Sequence, residues 1–371
     1  MILEIAGAIA IGYQLFALLA CLRFPRSARV KAAEQTAPVS ILKPIHGADA
    51  GLRAAIASHL GLHGEFELLC GVRPGDDAAM AALGEFPEVR VIECRTETPN
   101  RKVGVLMDLA REARHSILIV NDADIRVEPD YLMRVTAPLR DSRVGLVTCL
   151  YRTEASTLAG RFEGLGVGTD FAPSAMVARM VGVKEFAMGS TLAFRRADLE
   201  RMGGFEAISA YLADDYQLGA RLHGLGLECV LSEVIVDTRL GGGWKDIWRH
   251  QVRWARTIRV SKFGGYLGLP ATFATFWAVV AACGGRWEIA LGALAARMLM
   301  ATAAGWFVLR SRDVLRLWLL IPARDLFGVA VWAMALAGRS VVWRGETLRL
   351  DSEGRIAARE AVSKGIRAGV C

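Results

Sequence analysis

Two pairs of carboxylates and one basic, aromatic run carry most of the chemistry open to this sequence. The apolar run Ser116-Ile117-Leu118-Ile119-Val120 leads straight into Asn121-Asp122-Ala123-Asp124. Carboxylates at i and i+2, where a buried strand ends, can reach one hard cation through oxygen ligands. A divalent ion held there would neutralise charge developing on a diphosphate. Asp pairs are also common in turns, so the position after a strand, more than the spacing, singles out Asp122 and Asp124. A second pair, Asp214-Asp215, opens an apparent helix in Tyr211-Leu212-Ala213-Asp214-Asp215-Tyr216. Two readings of it stand side by side. One is an acidic first turn favoured by the helix dipole. The other is a general base that takes the proton of a hydroxyl attacking a sugar's anomeric carbon. An ordinary Asp titrates near about 3.9, so Asp215 is expected to be ionised at neutral pH and to need only positioning. The third run is Trp248-Arg249-His250-Gln251-Val252-Arg253-Trp254. With Trp244 it reads as a membrane-interface belt; equally, Arg253 could hold a departing phosphate with Trp254 against the acceptor.

The elements around these residues alternate in type. Short β-rich runs (Val39–Leu42, Phe66–Val72, Val89–Glu93, Ser116–Val120, Val144–Cys149) are separated by helical stretches (Leu52–Leu60, Asp76–Leu83, Lys102–Ala113, Pro129–Leu139). Such alternation predicts βαβ units and a mostly parallel, doubly wound sheet over residues 37–240, with its ligand at the carboxyl ends of the strands. Neither GxGxxG after the first strand nor GxxxxGK[ST] occurs, which excludes the usual dinucleotide and P-loop sites. His59 and His63 stand four apart, which predicts a surface helix face before a metal site.

Composition places this domain beside a membrane. Of 371 residues, 53% are hydrophobic and 22% charged. Counting Gly but not Tyr, the apolar share is about 62%, against roughly 45–50% in soluble domains. Residues 2–22 carry one charge, Glu4, and are long enough to cross roughly 30 Å of hydrocarbon. Arg23, Arg26, Arg29 and Lys31 follow, so the span is expected to be an uncleaved anchor with the next segment cytoplasmic. Residues 241–265, with Gly241-Gly242-Gly243 ahead of the tryptophans, read as an interfacial loop and helix. Tyr266 to Leu309 holds only Arg286, Glu288 and Arg297 as charges, and Gly284-Gly285-Arg286 divides it into a hairpin. Residues 317–337 are apolar but broken by Pro322, Arg324 and Asp325, so they either span or form a kinked, re-entrant or interfacial segment. Residues 338–371 read as a basic tail. The net charge of +7 fits an anionic bilayer surface and a phosphorylated substrate; no nucleic-acid motif is present. Seven scattered cysteines without a CxxC give neither a disulfide framework nor a zinc site.

Taken in order, these residues resemble the ceramide glucosyltransferase family and its bacterial relatives, including hopanoid-biosynthesis glycosyltransferases. The landmarks are Val39-Ser40-Ile41-Leu42-Lys43-Pro44, Asn100-Arg101-Lys102, Asn121-Asp122-Ala123-Asp124, Gly189-Ser190-Thr191, Asp214-Asp215-Tyr216, Arg253-Trp254, and Trp343-Arg344-Gly345 with Leu348-Arg349-Leu350. The resemblance implies a GT-A catalytic domain, α/β and Rossmann-like, between transmembrane helices in the cell inner membrane, with its active site cytoplasmic. It implies transfer of a hexose or N-acetylhexosamine from a UDP-sugar to a lipid alcohol, a hopanoid polyol or ceramide, by inverting displacement with Mg²⁺ or Mn²⁺. Lys43, Pro44 and Lys102 would line the nucleotide and diphosphate pocket, with Asp122 shared between diphosphate and metal and Asp124 on the metal. Asp215 matches the base with Asp214 beside it, and Arg253 and Trp254 close the (Q/R)xxRW motif. Two positions depart from the pattern. His250 stands where Gln or Arg opens that motif, with Gln251 next. The early carboxylate after the second strand is replaced by Arg73-Pro74-Gly75, leaving Asp76 and Asp77 as the nearest acids, Asp77 being the candidate cofactor contact.

Two other functions share these motifs. A processive polysaccharide synthase has the same layout but needs a polymer channel, more spans and an intact (Q/R)xxRW. A catalytically inactive membrane scaffold would bind a nucleotide sugar without needing Asp122, Asp124, Asp215 and Arg253 together.

Overall fold

The computed structural model describes residues 2–24, 37–49, 51–343 and 346–361. Arg26, Arg29 and Lys31 of the basic flank, Arg344 and Gly345 of the C-terminal motif, and residues 362–371 lie outside the described residues.

The β-rich runs build a seven-stranded sheet from β1 (Val39–Pro44), β2 (Phe66–Val72), β3 (Arg90–Glu93), β4 (Ile117–Val120), β5 (Val144–Ala155), β6 (Leu192–Arg195) and β7 (Glu228–Leu240). Its order is β3-β2-β1-β4-β6-β5-β7. Strands β1 to β4 pair in parallel, β6 runs antiparallel between β4 and β5, and β5 is parallel to β7. All of β1 is buried, as expected of a strand covered by helices on both faces. Its successive residues Ile41 and Leu42 enter different cores, one with Ile56, Leu83 and Ile119, the other with Leu69, Leu106 and Phe194. This is the mostly parallel α/β sheet that the alternation predicts, in the GT-A-type arrangement that the resemblance implies, and β6 and β7 are strands the sequence reading lacked. The strand order reverses direction between β1 and β4, so a crevice opens at their carboxyl ends. Pro44 ends one of these strands and Asn121 follows the other.

Among the described residues, three helices are long and apolar enough to cross a membrane: Leu3–Arg23, Trp287–Val308 and Trp318–Leu336. The hairpin turn falls at Gly284–Arg286, as read from the sequence. Its first arm differs from a straight span. Phe263–Thr272 and Ala274–Cys283 pass the length test only together, bent by 50°. Pro270 lies at the start of the short turn before the bend and removes a backbone donor. Side chains satisfy the exposed carbonyls: Gln14 Nε2 donates to Thr272 O at 2.9 Å and Trp277 Nε1 to Pro270 O at 2.8 Å.

The third apolar stretch is helical because Pro322 sits in the first turn of the helix Ile321–Leu336, where its missing N–H costs nothing. Arg324 and Asp325 face protein. Arg324 is buried, and Asp325 accepts from Arg297 Nη2 at 2.6 Å and from the Thr275 hydroxyl.

The expected basic tail is folded instead. Strands β8 (Ser340–Trp343), β9 (Glu346–Leu350) and β10 (Ile356–Ala361) form an antiparallel sheet. Val341, Leu348, Leu350 and Ile356 pack against Leu212, so hydrophobic burial outweighs the segment's positive charge. Ile356 N donates to Ala210 O at 2.8 Å. The sheet is thereby docked on the loop that enters Asp214-Asp215.

Candidate active site

A single cavity of about 1070 Å³ gathers most of the predicted residues. Pro44, Lys102, Asp122, Asp124, Asp214, Asp215, Arg253 and Trp254 all line it. Each reaches it for a local reason. The buried strand β4 delivers the acids of Asn121–Asp124 at its end. Asn121 is fully buried, and its Nδ2 donates to Ser190 O at 2.7 Å and to the Tyr131 hydroxyl at 3.1 Å. That anchors the loop on the crevice floor. Asn100 caps the helix Arg101–Glu112 through its own Oδ1, 3.1 Å from Lys102 N. Its Nδ2 donates to Tyr211 O at 2.8 Å, which ties this cap to the loop before Asp214.

Lys102 is the hub. Its ammonium lies 2.8 Å from Asp122 Oδ1 and 3.1 Å from Asp214 Oδ2. Burial opposes its charge, but the neighbouring carboxylates of Asp122, Asp214 and Asp215 outweigh that and hold its pKa above the ordinary value. Asp215 accepts from Gly189 N at 2.9 Å and from Tyr216 N at 2.8 Å. Burial, aided by the charge of Asp214 and opposed by Lys102, pushes its carboxyl up to about 6. The expectation of an unperturbed carboxylate is corrected: Asp215 is a stronger base than a free Asp, yet still mostly ionised at pH 7. The acidic-first-turn reading also holds, because Asp214 and Asp215 both begin the helix Asp214–Gly224.

Gly189 lies between the two acid clusters. A Cβ at this position would stand 2.9 Å from Asp122 Oδ2, while its N–H serves Asp215. A methyl there would crowd the Asp122 carboxylate, which Lys102 also holds.

Asp124 has its carboxylate hydrogen-bonded by the Thr238 hydroxyl and by Arg239 N at 3.3 Å. Burial, with a contribution from Asp122, raises its pKa despite those bonds. Among the described residues no group of three or more His, Cys, Asp or Glu could hold a metal ion. Two carboxylates suffice for Mg²⁺ or Mn²⁺ when diphosphate oxygens and water complete the shell. The hard oxygen donors and the mutual repulsion of Asp122 and Asp124 fit such an ion.

Two predicted residues do not line the cavity, and one helix face is reassigned. Lys43 is fully buried; its ammonium donates to the carbonyls of Asp122 at 2.9 Å and Ile125 at 3.3 Å. Burial lowers its pKa to about 8. It shapes the Asp122–Asp124 loop from behind. Asp77 is exposed in the first turn of the helix Asp77–Leu83. The inward acid of that loop is Asp76, which accepts from Gly47 N at 2.8 Å and lies 3.1 Å from the cavity residue His46. His59 is not on a surface face. It is fully buried with Leu52, Ala55 and Ile56, and its Nε2 lies 3.3 Å from Asn121 Oδ1. Only His63, past the end of that helix, is exposed. Of the tryptophans, Trp244 is exposed as an interface anchor would be, whereas Trp254 faces the cavity.

The buried residue that sequence reasoning missed is Glu163, which meets His250 and Gln251 of the helix Trp244–Ser261. No local pattern marks it, since 87 residues separate it from His250.

A GT-A domain with acids at the β4 end and a second acid pair across the crevice is the arrangement of a glycosyltransferase. Within it, the chain belongs to glycosyl transferase family 21, which matches residues 2–356. It is 26% identical over 204 residues to ceramide glucosyltransferase 1 of Caenorhabditis elegans, covering 52% of this chain and 44% of that protein. It is 25% identical over 214 residues to ceramide glucosyltransferase 3 of the same organism, covering 55% and 46%. The matched region thus spans under half the length of these relatives. Among solved structures, it is similar to a mannosyltransferase from Pyrobaculum calidifontis in complex with GDP-Man and Mn²⁺ (TM-score 0.49, 17% identity, 88% of this chain and 98% of that one). It is also similar to glucosyl-3-phosphoglycerate synthase from Mycobacterium tuberculosis with Mn²⁺, UDP and phosphoglyceric acid (TM-score 0.40, 15% identity, 64% and 86%).

Proposed function

We propose that this chain transfers a hexose or N-acetylhexosamine from a UDP-sugar to a lipid alcohol, a hopanoid polyol or ceramide, at the cytoplasmic face of the inner membrane. One observation carries the proposal. The cavity that holds Asp122, Asp124 and Asp215 is continuous with walls from the membrane helices, including Tyr13, Met300 and Trp332. An acceptor with a long apolar body costs about 0.8 kcal/mol per CH₂ to draw into water. A cavity lined by both the acids and the membrane-length helices would let its hydroxyl reach the base while its body stays in hydrocarbon.

In this reading Asp215 takes the hydroxyl proton as the acceptor oxygen attacks the anomeric carbon and the bond to the diphosphate breaks, inverting that centre. Gly189 N and Tyr216 N orient the carboxylate. Asp122 and Asp124 would hold a divalent cation, which supplies charge neutralisation on the leaving diphosphate. Lys102 and Arg253 add fixed positive charge to the same wall, and Trp254 packs against the acceptor. Incubating membranes that carry the protein with each labelled UDP-sugar, then identifying the product by mass spectrometry, tests this directly. A labelled glycolipid that is absent with Asp215→Asn is expected. Sugar released only as free hexose, with no lipid product, would overturn it.

A further inference from the structure

His250 occupies the motif position where Gln or Arg is expected, and Glu163 gives it an unusual setting. Glu163 lies on the helix Leu158–Gly166 and is 2% exposed. Its Oε1 accepts from His250 Nδ1 at 2.6 Å and from Gln251 Nε2 at 2.8 Å. A buried carboxylate accepts only, so it places the ring hydrogen on Nδ1. Nε2 is then an acceptor in the neutral ring and a donor in the imidazolium. It has no hydrogen-bond partner among the described residues. The His250 side chain is 28% exposed, lines the cavity, and has its ring 4.4 Å from that of Trp254. Gln251 Oε1 in turn accepts from Arg324 Nη2 at 2.8 Å, which fixes the pair against the apolar helix Ile321–Leu336.

A ring nitrogen in either form pairs with a hydroxyl, which both donates and accepts. His250 lines the cavity beside Trp254 and, through Glu163 and Gln251, is tied to Arg324 of the apolar helix Ile321–Leu336. We propose that the Glu163–His250 pair selects the lipid: His250 Nε2 forms a hydrogen bond with a second acceptor hydroxyl, one that is not attacked. The preferred acceptors therefore carry more than one hydroxyl close together. This rests on the lipid-alcohol reading above.

The test uses the full-length protein in mixed micelles with the UDP-sugar it turns over. A hopanoid polyol, ceramide and 1-O-hexadecylglycerol are compared with hexadecan-1-ol. His250→Phe keeps an aromatic ring beside Trp254 and removes both nitrogens. The ratio of kcat/KM for the best polyhydroxy lipid to that for hexadecan-1-ol is expected to fall about tenfold or more, through the lipid KM, as for a lost hydrogen bond in a selective site. His250→Gln, whose amide oxygen can accept, should recover part of the ratio and carries the same test if the Phe variant does not fold. An unchanged ratio, or a loss seen instead in the UDP-sugar KM, overturns the inference alone, as does wild-type protein that uses hexadecan-1-ol equally well. Wild-type protein that transfers sugar to none of these lipids overturns the lipid-alcohol reading and this inference with it.

Discussion

Asp215→Asn removes the proposed base while leaving an oxygen that can still accept from Gly189 N. Positioned general-base catalysis contributes roughly 10²–10⁴ in rate. The variant should therefore lose about that factor in kcat, with the donor KM close to wild type. The pH profile gives a sharper magnitude. Burial and Asp214 push the Asp215 carboxyl up to about 6, and only the ionised form accepts a proton. Activity is then present above that pH and lost as pH falls through it. About ten molecules in eleven are ionised at pH 7 and about one in eleven at pH 5, so kcat/KM should fall about tenfold between them. An unperturbed carboxyl near about 3.9 would leave the rate nearly level over that range. Because the charge of Asp214 is the second cause of the shift, Asp214→Asn should move the acid limb to lower pH. Initial rates of labelled-sugar transfer across a buffer series, with protein returned from pH 5 to pH 7 as a stability control, make the measurement. A level profile from pH 5 to 7, or wild-type turnover by Asp215→Asn with donor bound, would refute the assignment.

Three further outcomes follow from the site. Chelation of divalent ions should abolish transfer and Mn²⁺ or Mg²⁺ restore it, while Asp124→Ala should resist that rescue; circular dichroism should show the fold intact throughout. Lys43→Met leaves the Ile125 carbonyl without its buried donor, a cost of about 1–3 kcal/mol, and removes one of two donors to the Asp122 carbonyl. It should lower the melting temperature in detergent, and a melting curve matching wild type would contradict the buried role. Gly189→Ala sets a methyl 2.9 Å from Asp122 Oδ2, so turnover should drop at least tenfold with little change in thermal stability; full activity would mean the two acid loops need not approach this closely.

The parts of the fold legible in the sequence are those where one local pattern meets one local cause. Strands β1 to β5 stand out as apolar runs between helical stretches, and the acids of Asp122 and Asp215 stand at element ends. Strand β6 enters antiparallel between β4 and β5, outside the βαβ alternation that marks the first strands. Lys43 and His59 were misplaced for one reason: their polar atoms are satisfied by groups distant in sequence. Lys43 bonds across 79 residues and His59 across 62. A lysine in an apolar strand looks like a ligand until the carbonyls it serves are seen. The C-terminal strands escaped because Arg339, Arg349, Arg355 and Arg359 dominate the composition there. The residues that pack them, Val341, Leu348, Leu350 and Ile356, are spread thinly between the charges.

The small C-terminal sheet also has a bearing on how the protein is made. Its last strand holds Arg359, whose guanidinium donates to Pro99 O, just ahead of the Asn100 cap, while Ile356 bonds to Ala210 beside the Asp214 loop. The loops ahead of Lys102 and Asp214 are thus braced by residues that follow the membrane-length helices among the described residues. A growing chain has all its acids well before it has the brace that aligns them. In the proposed reading, the loop that positions Asp215 therefore meets this brace only after the membrane-length helices have been synthesised.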